Sequence, residues 1–241
     1  MTKIALISDI HGNQTALEAV LTDIDQRGIK RIFCLGDLVG KGPRSSACIK
    51  LVREHCEQVI RGNWDVFIRQ ESDNEFINWF QDRLTEEDNE YLATLPFHID
   101  LNVNGQFVRC FHASPRSEFE RIIPGYHPPE KVLSMFENSE TTGTQSLERT
   151  PDIVFYGDIH TTLLKTYEIG ILCNVGSVGN SLDLTSASYV ILDSTFETNS
   201  IQFIRVAYDR DAELAAAKDL GLAGYKQYYD EIMYAKYRNA K

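Results

Sequence analysis

The chain has 241 residues, and its 24 Lys+Arg against 35 Asp+Glu give a formal charge of −11. That excess of carboxylates argues against a general nucleic-acid binder, whose affinity comes mostly from neutralising phosphates with cationic side chains. With 43% hydrophobic and 10% aromatic residues the chain can bury a sizeable core without staples, which excludes the disordered and collagen-like classes.

Short apolar, β-branched runs of strand length come first, at Lys3–Ser8, Arg31–Leu35 and Gln58–Arg61. Between the first two, Ala16, Leu17, Val20, Leu21 and Ile24 recur at helical spacing and predict a helix over Asn13–Arg27 that stops at Gly28. Ile49, Leu51 and Val52 predict a second helix over Ser45–His55. The opening therefore reads β-α-β-α-β, an α/β architecture. From Asp65 to Leu95 the chain turns polar and acidic, with Phe67, Phe76, Trp79, Phe80 and Tyr91 spaced for helix, and this predicts a helical insertion ending at Pro96.

Further strands are predicted at Phe107–Phe111, Asp152–Tyr156, Lys165–Cys173, Ser188–Leu192 and Ser200–Ala207, with a mobile loop at Glu137–Arg149 around Thr-Thr-Gly-Thr. Asp211–Arg238 predicts one or two helices interrupted near Gly221 and Gly224. Their tyrosines Tyr225, Tyr228, Tyr229, Tyr234 and Tyr237 are expected to pack on the domain. No internal repeat or separating linker is present, so residues 1–241 are expected to form one domain with two layers of sheet and flanking helices. The five cysteines (Cys34, Cys48, Cys56, Cys110, Cys173) are odd in number and contain no CxxC, which fits neither a disulfide framework nor a thiolate zinc site. The apolar run Ile4–Ile7 is too short for a signal-peptide core or a membrane span, so a cytoplasmic protein is expected.

Five segments share one pattern, an apolar run followed by residues of metal-binding type. They are Ser8-Asp9-Ile10-His11-Gly12-Asn13, Gly36-Asp37-Leu38-Val39-Gly40, Arg61-Gly62-Asn63-Trp64-Asp65, Phe111-His112-Ala113-Ser114-Pro115 and Gly157-Asp158-Ile159-His160. Strand ends of an α/β sheet converge on one edge, where ligands bind. An Asp after a strand can equally cap a helix, and a lone His can be an ordinary buried polar residue. Five such clusters in chain order favour a shared site, in which Asp9, His11, Asp37, Asn63, His112, Asp158 and His160 suffice for two divalent ions.

These motifs resemble the calcineurin-like metallophosphoesterase superfamily, whose pattern is D-x-H, G-D, G-N-H-D/E, H and G-H-x-H. The resemblance covers residues 3 to about 207. It implies a four-layer α-β-β-α sandwich, with a small helical insertion here, and a metal-dependent phosphoesterase. It also implies that Asp9, His11 and His160 bind one metal, that Asp37 bridges, and that Asn63, His112 and the position of Asp158 bind the other. Asp37, Asn63 and His112 are the catalytic candidates. Two departures stand out: Trp64 replaces the motif histidine often assigned as general acid, and Asp158 replaces an imidazole.

The O/N ligand set without thiolate suits manganese or iron, and also zinc. Lys41, Arg44 and Arg116, in loops just past the motifs, are candidates for gripping phosphate, with Asn13, Trp64 and His127 as further substrate-binding candidates. The expected partner is a small phosphorylated substrate, a nucleotide by preference, with no membrane and no stable nucleic-acid partner. Without the histidine acid, substrates with a stable leaving group should suffer least. This favours a phosphodiesterase or dinucleoside polyphosphate hydrolase using metal-activated hydroxide. A serine/threonine protein phosphatase-like enzyme and a non-catalytic binding module on the same fold are the alternatives.

Overall fold

A computed structural model describes residues 3–195 and 197–236. In chain order its first half contains β1 (Lys3–Ile7), α1 (Gln14–Gln26), β2 (Arg31–Cys34), α2 (Ser45–His55), β3 (Gln58–Val59), α3 (Asn63–Phe67), α4 (Glu75–Gln81) and α5 (Glu86–Thr94). There follow β4 (His98–Val103), β5 (Gln106–Phe111), α6 (Pro129–Leu133), β6 (Ile153–Tyr156), β7 (Thr162–Tyr167) and β8 (Gly170–Val175). The chain then runs through β9 (Ala187–Asp193), β10 (Ser200–Val206), α7 (Arg210–Asp219) and α8 (Tyr225–Tyr234).

Two five-stranded sheets result, ordered β10-β9-β1-β2-β3 and β4-β5-β6-β8-β7. Strands β1, β2 and β3 are mutually parallel in the first, and β5, β6 and β8 in the second. Side-chain alternation decides the layering. Ile4 and Leu6 of β1 join Ile153 and Phe155 of β6 in the core between the sheets. Ala5 and Ile7 face the opposite way, onto the apolar stripe of α1 and a core shared with α2, α4, α5, α7 and α8. Val154 and Tyr156 face outward onto Val132 of α6 and the 3-10 turn Ser134–Phe136. The layers are therefore α-β-β-α, as expected. No described helix is long and apolar enough to cross a membrane.

Three local expectations change. The single run over Lys165–Cys173 is instead the β7-β8 hairpin, turning between Tyr167 and Gly170. Strand β4 is an edge strand whose alternating His98, Asp100 and Asn102 hid its apolar side. Its turn to β5 is Asn104-Gly105 with φ of 50° and 77°, the hairpin signal that the sequence carried. Glu137–Arg149 is a folded loop of turns, in which Asn138 Nδ2 donates to the carbonyls of Leu147 (2.8 Å) and Arg149 (3.1 Å) and Thr142 and Thr144 are buried. The insertion folds as α3, α4 and α5, and α7 and α8 are separated at Gly221 and Gly224, both at positive φ. Residues 237 and 238, including Tyr237, lie outside the described residues.

Candidate metal centre

The five motif segments all leave the carboxyl ends of parallel strands, β1, β2 and β3 of one sheet and β5 and β6 of the other. The loops are stitched by backbone bonds: the N–H groups of Asp9 and His11 donate to the carbonyls of Gly36 (3.0 Å) and Asp37 (2.9 Å), and Gly157 N–H donates to His112 (2.8 Å). Five residues of the group adopt left-handed backbone, Asp9, His11, Asp37, Asp158 and His160, with φ between 48° and 64°. Non-glycine residues hold such conformations only where surrounding contacts over-determine them, and such strain clusters at functional sites. Gly62 has a different constraint, since a Cβ there would lie 2.2 Å from Asp37 Oδ1.

Asp9, His11, Asp37 and His160 are buried, and each offers a ligand atom within 4.8 Å of the others. Each imidazole presents Nδ1 to a carbonyl, His11 to Val39 (3.0 Å) and His160 to Asn180 (2.7 Å). A carbonyl only accepts, so both rings carry their proton on Nδ1 and turn Nε2 lone pairs toward each other, 3.1 Å apart. Asp9 Oδ1 lies 3.1 Å from His160 Nε2, is buried, and has no hydrogen-bond partner. Facing lone pairs and an orphaned buried carboxylate oxygen are satisfied by a cation, so this donor set fits a divalent metal. Burial first, then Lys41 and His160, holds the His11 pKa well below the ordinary imidazole value, leaving the ring neutral as a ligand must be. Burial would raise the Asp9 carboxyl, but His160 and His112 outweigh it and hold it well below the usual carboxylate range.

A second group continues from Asp37. His112 Nε2 lies 3.5 Å from Asp37 Oδ2 and 3.1 Å from Asn63 Oδ1, while its Nδ1 donates to Leu35 O at 2.7 Å. Burial would lower the His112 pKa, but Asp37, Asp9 and Asp158 outweigh it and hold the pKa well above the ordinary value. Asp65 braces both loops by accepting from the N–H groups of Asp37, Leu38 and Gly62, each at 2.8 Å. Burial and repulsion from Asp37 push its carboxyl up to about 7.

Asp158, expected from sequence on the second metal, is directed elsewhere. Both its carboxylate oxygens accept from the Arg121 guanidinium, Oδ2 from Nε and Oδ1 from Nη2, each at 2.9 Å. It is not in the four-residue cluster. The signal for Arg121 was present as charge: a buried carboxylate in place of an imidazole demands a cation, and the loop after His112 holds Arg116 and Arg121.

A cavity of about 380 Å³ opens over the centre, lined by Asp37, Asp158, His160, Lys41 and Arg121 on its polar side and by Trp64, Phe76, Ile123, Ile159 and Leu182 on its apolar side. Helix α8 contributes Gln227, Tyr228 and Glu231 to its wall. Of the substrate-binding candidates, Lys41 and Trp64 line it. Lys41 Nζ donates to Asn180 Oδ1 (2.8 Å), and Asn180 Nδ2 donates to Glu231 Oε2 (2.9 Å). Trp64 also packs, edge-on to His11 and Phe80, at ring-centroid distances of 5.9 and 6.2 Å.

The other four candidates do not line the cavity, each for a local reason. Arg44 donates to Thr15 (2.6 Å) and pairs with buried Glu213 of α7. Arg116 pairs with Glu120 (2.8 Å) and Glu137 (3.1 Å). Asn13 is buried as the cap of α1, accepting from Ala16 N–H (3.0 Å) and donating to Gly179 O (2.9 Å). His127 accepts from Ile123 N–H through Nδ1 (3.0 Å).

Comparison with known proteins agrees with this geometry. Residues 2–196 match the calcineurin-like phosphoesterase superfamily domain. An uncharacterized protein of Methanocaldococcus jannaschii is 33% identical, the match covering 86% of this chain and 88% of that protein. The crystal structure of a metallophosphoesterase from Sphaerobacter thermophilus superposes with a TM-score of 0.79 at 25% identity, covering 97% of this chain and all of the other. A hypothetical protein from Pyrococcus horikoshii has the same fold, with a TM-score of 0.77 at 20% identity over 96% of this chain and 98% of its own. The chain belongs to the calcineurin-like phosphoesterase superfamily and is a metal-dependent phosphoesterase.

Proposed function

We propose that the protein hydrolyses phosphodiester or phosphoanhydride bonds of small substrates, nucleotides by preference, using two divalent ions. The observation that carries this reading is the convergence of His11 and His160 with Asp9 and Asp37 beneath a cavity of about 380 Å³. Asp9, His11 and His160 would hold one ion, Asp37 would be shared, and Asn63 and His112 would hold the other. Ions at such a site supply water of lowered pKa and neutralise phosphoryl charge during in-line displacement. The oxygen and nitrogen donors, with no cysteine in the cluster, support manganese or iron. All five cysteines are free, which supports a reducing, cytoplasmic setting.

The chain's own residues supply orientation and selectivity. Asp65 braces the loops that carry Asp37 and Asn63. Lys41 brings a cation to the cavity wall, and Trp64 and Phe76 offer faces that suit a planar group beside the phosphate. Trp64 cannot donate a proton to a departing oxygen as a histidine would, which supports substrates whose leaving group is stable as an anion. The volume lies at the lower end of small-ligand pockets and favours a compact substrate over a polypeptide.

Manganese-supplemented protein should cleave bis-p-nitrophenyl phosphate and a dinucleoside polyphosphate, and chelation should abolish both activities. Full turnover by stripped protein, or none across a panel of phosphoesters and phosphoanhydrides, would overturn the reading. A phosphopeptide in the same panel tests the protein phosphatase alternative.

A further inference from the structure

We infer that Arg121, held in place by Asp158, binds a phosphoryl oxygen of the substrate and restores the positive charge that the aspartate takes from the centre; this rests on the phosphoesterase reading above. An imidazole in the motif would contribute no charge, whereas Asp158 contributes −1, and that change alone makes the centre less attractive to a polyanion. Arg121 contributes +1 at contact distance and returns the balance to zero. The pairing is geometrically definite: both carboxylate oxygens and the Asp158 carbonyl accept from the guanidinium, at 2.9, 2.9 and 3.0 Å. Asp158 is buried, but the Arg121 side chain is 44% exposed and lines the cavity, so the anchoring carboxylate lies behind a cation that faces substrate. A carboxylate ligand would instead direct those oxygens at a metal.

Lys41 lines the same cavity, where burial chiefly, and Arg121 to a smaller extent, disfavour its charged form while Glu231, Asp9 and Asp37 favour it. Two cations converging on one cavity are relieved by an anion placed between them. A planar guanidinium matches phosphoryl oxygens in a way a point-charge ammonium does not. Asp158 is the positioning residue, because without it the long arginine side chain is free to leave the wall.

The test compares Arg121→Gln, Arg121→Lys and Asp158→Asn with the wild type. It reads steady-state kinetics on bis-p-nitrophenyl phosphate, calorimetric binding of inorganic phosphate, and manganese content. Arg121→Gln should raise KM and weaken phosphate binding about 10- to 100-fold, the range for a charged hydrogen bond. Manganese content should be unchanged and kcat should move much less. Arg121→Lys should restore part of the loss, and Asp158→Asn should shift KM in the same direction by less. Unchanged KM and phosphate affinity in Arg121→Gln would overturn the inference. So would a gain of bound manganese in that variant, which would make Asp158 a ligand that Arg121 withholds. If the wild type turns over no phosphoester, the phosphoesterase reading falls. Arg121 is then judged by phosphate binding to the wild type and Arg121→Gln.

Discussion

Two groups of side chains meet at Asp37 and are built differently. On one side, the Nε2 atoms of His11 and His160 lie 3.1 Å apart and Asp9 Oδ1 is left without a hydrogen-bond partner, an arrangement that a cation would satisfy. On the other side, His112 is held well above its ordinary pKa by surrounding carboxylates, and the fourth expected ligand, Asp158, is satisfied by Arg121. A carboxylate at a motif position can thus be paired by an arginine. What lies opposite decides whether its charge is met by an ion or by a side chain.

The sharpest way to break this comparison is through the shared residue. Asp37→Ala should lower activity at least about 10²-fold and empty both halves, while His160→Ala should retain manganese on the Asn63 and His112 side. Metal analysis beside the rate measurement checks both, and equal metal content in the two variants would show that the halves do not differ. Next in size is Asp65→Ala, which leaves three buried backbone N–H groups without their acceptor. The expected loss is about 3 kcal/mol of stability, measured by urea unfolding. Wild-type stability in this variant would show that the loops are not braced through Asp65.

Trp64→His tests what the missing acid costs. It should raise the rate on an alkyl phosphate about 10-fold, less than the ~10²–10⁴-fold of a fully placed acid because Trp64 also packs on Phe80. The rate on bis-p-nitrophenyl phosphate should barely move. The smallest effect is on the thiols. Burial pushes Cys56 up to about 12 and Cys34, Cys48, Cys110 and Cys173 well above their ordinary range, so at pH 8 they stay protonated. Native protein should then resist iodoacetamide, with labelling only after denaturation, as followed by mass spectrometry.

Much of this was legible in the chain itself. Short continuous apolar runs such as Ile4 to Ile7, and the helical stripe Ala16 to Ile24, set strands and helices locally because each depends on neighbours a few residues away. The order of motifs picked out Asp9, His11, Asp37 and His160, which the fold brings within 4.8 Å of one another, for the same reason: each short segment carries its residue types whatever surrounds it. Strand β4 and the β7-β8 hairpin were harder, since an edge strand with polar residues and a turn lacking a Gly pair look like loop or continuous strand.

Tertiary structure alone decided how the charges were assigned. Arg121 and Asp158 are 37 residues apart, Arg44 and Glu213 are 169 apart, and His11 and His160 are 149 apart, so no local pattern couples them. Lys41, Arg44 and Arg116 looked equivalent in sequence, but folding gave the two arginines carboxylate partners away from the cavity and left Lys41 on its wall. The physical reason is that a buried charge must be matched wherever it ends up. The sequence determines which charges exist, and the packing of two sheets and their covering helices determines which of them meet.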